Sequence, residues 1–216
     1  MGRKKRAQSV AIIGGADGPT SIFIAGKRRG NLRDMILGIP HRMRRAKAKR
    51  QIRPGVHSLK SVAGNLVRKW GAYELPKDSM QYQEERSSMK ESLIIQKCPE
   101  LLGDAVQINP PEDGTPESFR KFLEQLERRK ELAEQIPEEE FPLDFHIYQI
   151  DSPDGGNMQV TIEYRWEELS VSYSGNKREM RRFQKMSRMV YLYWGVTEKD
   201  MAEKSQRYKA VLAALT

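Results

Sequence analysis

Asp17 stands among glycines: Gly14, Gly15, Ala16, Asp17, Gly18, Pro19 and Thr20 run consecutively between two apolar stretches, Val10 to Ile13 and Ile22 to Ala25. Glycines free the backbone for tight turns and let N–H groups point at an anion, while an Asp side chain bonds the backbone close to itself. The string is read first as a strand or helix half, a tight turn and a second apolar element, with Asp17 as a turn residue. A phosphate loop is the competing chemistry, but no G-x-G-x-x-G occurs. Gly26-Lys27 also lacks both the upstream glycine at P-loop spacing and a following Ser or Thr.

Catalytic and metal chemistry is thinly provided. Cys98 is the single cysteine, which excludes an internal disulfide or a cysteine-based zinc cluster within one chain, and no activating pattern lies beside it. His41, His57 and His146 lie far apart in sequence, with no spacing that sets two ligands on one face. Glu138, Glu139 and Glu140 are consecutive, so their side chains diverge, and Pro137 and Pro142 place them in a loop. The chain reads as nonenzymatic, with no cofactor and no metal.

Charge is the stronger signal. The 38 Lys and Arg against 29 Asp and Glu give +9, but residues 1–70 hold 18 of those cations against two acids, and residues 71–216 hold 20 against 27. The basicity belongs to one third of the chain. Arg42, Arg44, Arg45, Lys47, Lys49, Arg50 and Arg53 crowd one short stretch that has few apolar residues to fold by itself. Such a cluster neutralises phosphates through counterion release without reading bases, so a polyanion is the expected partner. Nucleic acid comes first and peripheral contact with an acidic membrane surface second. Trp70, Tyr73 and His57 could stack bases beside it, although Trp70 is in phase with an apolar helix stripe and is expected in the core. Arg178, Arg181, Arg182, Lys185 and Arg188 form a second basic surface, expected to be solvated and paired with nearby acids.

Ile12 to Ala25, IIGGADGPTSIFIA, resembles a segment of the beta subunit of sodium-ion-translocating decarboxylases. In that family the segment breaks a membrane helix and supplies an acidic residue to the ion path, and the matching position here is Asp17. The resemblance covers this segment alone. It implies a second functional expectation: an accessory or peripheral relative of those beta subunits, with Asp17 at a cation or partner contact.

The elements that position these residues follow from periodicity. No apolar run approaches the roughly 20 residues of a membrane helix, and the early hydrophobics are too interrupted for a signal peptide, so a cytoplasmic protein is expected. Val56, Leu59, Val62, Ala63, Leu66, Val67 and Trp70 predict an amphipathic helix between Gly55 and Gly71. Phe119, Phe122, Leu123 and Leu126 predict another after Thr115-Pro116. Met158, Val160, Ile162 and Tyr164 then alternate with polar residues, as do Leu169, Val171 and Tyr173, and Phe145 to Asp151 precedes a Pro-Asp-Gly-Gly turn. The expected fold is α+β: a basic arm over residues 1–54 carrying the glycine-rich turn, then a domain over residues 55–216. That domain has a helical middle, a three-stranded antiparallel meander and two C-terminal helices, the second capped by Thr197.

Overall fold

The computed structural model describes residues 9–12, 22–25, 43–111, 113 and 115–216. The fold is α+β with antiparallel sheets. The chain divides into two compact units, one of Met1–Lys27 with Pro76–Leu143 and a larger one of Arg28–Leu75 with Asp144–Thr216.

The larger unit is built on a sheet in the order β4-β5-β6-β7. Its strands are β4 (Tyr73–Glu74), β5 (Phe145–Asp151), β6 (Asn157–Glu163) and β7 (Glu168–Ser174). Period-2 alternation sends Met158, Val160 and Ile162 of β6 to one face, where they join Tyr148, Ile150 and Leu169 in the core. The expected three-stranded meander is therefore corrected to four strands. Tyr73 pairs with Gln149 and Glu74 with Tyr148, and the Leu75 N–H donates to the Ile147 carbonyl at 2.9 Å. A two-residue strand between Gly71 and Pro76 is too short to show any alternation, which is why sequence period could not reveal it.

Two helices form early and late parts of the same core. Helix α2 (Leu59–Trp70) is capped by Ser58, whose hydroxyl accepts from Ser61 N–H, and ends at Gly71 in the left-handed conformation. It buries Leu59, Val62, Ala63 and Leu66. Helix α5 (Lys177–Trp194) opens with a reciprocal capping box between Asn176 and Glu179 and buries Phe183, Met186, Val190 and Trp194. The expected single helix after Thr197 is in fact two, α6 (Glu198–Glu203) and α7 (Gln206–Leu215). Thr197 does cap, with Asp200, but Lys204 adopts a left-handed φ of 51° and Ser205 starts a new helix by accepting from Tyr208 N–H. That pairing of a left-handed cap with a new serine cap ends one helix and begins the next within two residues.

The seam between the two ends of this unit is the short pair β3 (Gly55–Val56) and β8 (Gly195–Val196). A β-carbon at residue 195 would lie 1.8 Å from the Gly55 carbonyl oxygen, and its φ is 68°, so only glycine fits there. Arg207 of α7 locks the seam: its guanidinium lies 4.5 Å from the Trp194 ring centroid and donates to the carbonyls of Gly195 and Trp194.

Residues 43–51 form helix α1, with Ala48 and the following Ile52 buried in the larger unit's core. The basic stretch thus has too few apolar residues to fold alone, yet two placed on one side let it dock.

In the other unit, β1 (Ser9–Ile12) and β2 (Ile22–Ala25) pair antiparallel, Ser9 with Ala25 and Ile12 with Ile22. The apolar stretches around the glycine-rich string are strands, one of the two forms the sequence left open. Helices α3 (Met80–Lys97) and α4 (Pro116–Gln135) flank a 3-10 segment, Pro99–Val106. As expected, Thr115 caps α4 with Pro116 at its first position. Of the four apolar residues that predicted α4, only Phe122 is buried, while Phe119 and Leu123 are about half exposed. Lys90 is buried and donates to the carbonyls of Ile136 at 2.5 Å and Glu134 at 3.4 Å, where α4 ends without a basic residue of its own. Among the described residues no helix is long and apolar enough to cross a membrane.

Candidate nucleic-acid interface

The capping box at Asn176 fixes where α5 starts, and its phase then follows from burial of Phe183, Met186 and Val190. The opposite face carries Lys177, Arg178, Arg181, Arg182 and Lys185, all exposed. With Trp70, Met186 and Met189 they line a groove of about 700 Å³. Trp70 is half-buried against the core, and the exposed Lys69 holds its ammonium 5.2 Å from the ring centroid.

Among the described residues, none of these five α5 cations forms an ion pair with a carboxylate, contrary to the expectation for Arg178, Arg181, Arg182 and Lys185; Arg188, expected on the same surface, is half-buried and likewise has no ion pair there. Glu179, buried at the helix start, interacts electrostatically with Arg182. Its carboxyl is held below the usual carboxylate range by the Ser152 hydroxyl above all, then by the N–H groups of Asn176 and Gly156 and the positive field of Arg182. In the smaller unit the opposite holds: Arg129 meets Glu91 at 2.6 Å, Arg86 meets Glu138, and Arg120 and Lys121 lie 3.6 Å from Glu124 and Glu117. Five like charges along one helix face, with no ion-paired carboxylate among the described residues, repel each other, a repulsion that binding a polyanion would relieve.

The basic stretch singled out in sequence is presented by the same unit. Arg44, Arg45, Lys47, Lys49 and Arg50 are exposed on α1, and Arg53 is exposed just beyond it. Arg42 lies outside the described residues. The residues of the larger unit carry 24 Lys and Arg against 12 Asp and Glu, whereas residues 76–143 carry nine against 16.

Other residues named from sequence fare differently. His57 stacks on Tyr193 at 3.9 Å between centroids and donates from Nδ1 to the Tyr193 carbonyl at 2.7 Å, so its ring serves the seam. Tyr73 donates to Asp151 at 2.7 Å, an interaction that pushes its hydroxyl above the usual tyrosine value. Cys98 is half-buried just after α3. Gly14, Gly15, Asp17, Gly18, Pro19 and Thr20 lie outside the described residues. Among the described residues, no three His, Cys, Asp or Glu gather where they could hold a metal ion.

Trp70, expected in the core, is only partly covered, as the last residue of α2 before the left-handed Gly71. Position at a helix end, where the apolar stripe runs out of partners, was the available signal. Comparison of the chain with protein-family models, with curated proteins and with solved structures found no match.

Proposed function

We propose that this chain is a nonenzymatic nucleic-acid-binding protein whose larger unit neutralises phosphates through the α5 face and the 44–53 segment. The observation that carries this reading is the row of five exposed α5 cations with no carboxylate partner among the described residues. The docked α1 supports it, because a helix anchored by Ala48 and Ile52 holds Arg44, Arg45, Lys47, Lys49 and Arg50 without the full ordering cost that a free tail would bear on binding.

The test is fluorescence anisotropy of a labelled oligonucleotide titrated with the full chain over a range of salt concentrations. Each phosphate contact contributes roughly 0.7–0.9 to the slope of log affinity against log salt. The triple variant Arg178→Gln, Arg181→Gln, Arg182→Gln should weaken binding and reduce that slope by about 2–3. Absence of binding to any nucleic acid at low salt, or a triple variant that binds like the parent, overturns the proposal.

A further inference from the structure

Resting on that reading, we propose that the groove between Trp70 and α5 receives an unpaired base, so that the preferred ligand is a single strand rather than a duplex. A site for phosphates alone needs no apolar floor, yet this one has three such residues. Trp70 is half-buried, Met186 is buried and Met189 is 40% exposed, all lining the same cavity as Lys177, Arg178, Arg181, Arg182 and Lys185. The cations occupy positions 177 to 185, about 12 Å of helix at 1.5 Å per residue, a track along which a backbone can lie while a base turns inward. Trp70 is only half-buried and lines this groove with the cations, so a face of its indole borders that space rather than being enclosed by the core. A base can occupy that face, because every base has a π-surface, and the thioethers of Met186 and Met189 supply polarisable walls. In a duplex the bases stack on one another, so a duplex would engage the cations and leave Trp70 unused.

The experiment compares four probes on the full chain at matched salt: oligothymidylate, oligouridylate, a duplex of the same length, and inorganic polyphosphate, which has charge but no bases. Affinity is read by anisotropy or competition, and stacking by quenching of tryptophan emission. The Trp70→Phe variant identifies the quenched signal among Trp70, Trp166 and Trp194. The single strands should bind more tightly than the duplex and quench Trp70. Trp70→Ala should weaken single-strand binding about tenfold with an unchanged salt slope, leave polyphosphate binding unaltered, and be rescued by Trp70→Phe. A duplex that binds as well as the single strands, or a Trp70→Ala variant whose single-strand affinity is unchanged or falls equally for polyphosphate, overturns the inference while leaving the phosphate-binding surface standing. If none of the four probes binds, the surface itself is wrong.

Discussion

Glu179 ties the start of α5 to the turn between β5 and β6. Its carboxylate accepts from Gly156 N–H at 3.1 Å and Asn176 N–H at 2.9 Å, and a β-carbon at residue 156 would lie 2.8 Å from its Cδ, so glycine is required for the approach. The Asn176–Glu179 cap spans three residues, whereas the attachment to Gly156 was not legible in the sequence, because spacing carries no information about a partner 23 residues away. Since the native carboxyl titrates below its unfolded value, the stabilisation is complete above the ordinary carboxylate range and is lost as pH falls through the lower native value. Glu179→Gln should therefore lower the urea midpoint at pH 7, and the gap from the parent should close on acidification. A gap that stays constant down to full protonation would mean that the charge is irrelevant and only the shape matters.

At the scale of elements, long patterned segments were legible and short ones were not. The alternation in β6 and β7 and the central part of the α2 stripe, Leu59 to Leu66, emerged as expected because each repeats its period, whereas Val56 lies in β3 and Val67 is exposed. β4 and the break at Lys204 escaped because each occupies one or two residues, where no period exists. The basic stretch is the instructive case. Its seven cations dominate the sequence, yet Ala48 and Ile52 decide where α1 sits. Ile52→Ala is expected to cost about 2–4 kcal/mol by loss of buried volume, measured by urea denaturation. Replacing the exposed Arg44, Arg45, Lys47, Lys49 and Arg50 with Gln should leave the midpoint nearly unchanged and weaken nucleic-acid binding instead. Truncation at residue 53 would confound the two effects, since it removes charge and core together. An Ile52→Ala midpoint equal to the parent's would show that α1 is not anchored through this residue.

At the scale of the molecule, residues 76–143 interrupt the larger unit between β4 and β5, two strands that are hydrogen-bonded neighbours. The charge shift near residue 70 lies close to the first boundary, but periodicity marks neither boundary, because both units carry apolar residues at helical spacing. The sign of the charge follows the units closely, basic in the larger and acidic across 76–143. Each unit has buried residues of its own, Leu66 at 0% exposure in the larger and Leu93 at 1% in the smaller. Leu93→Ala should cost about 3 kcal/mol and speed hydrogen exchange across α3 and α4 while β5 to β7 keep their protection, and Leu66→Ala should do the reverse. Equal loss everywhere from either change would mean a single cooperative unit. The seam also sets an order on the nascent chain. Gly55 and Val56 find their strand partners only at residues 195 and 196, and the Arg207 guanidinium that secures them is made later still. During synthesis, then, the whole of α3 and α4 is available to fold before the larger unit can close, and the basic stretch waits on the ribosome without the seam that completes its support.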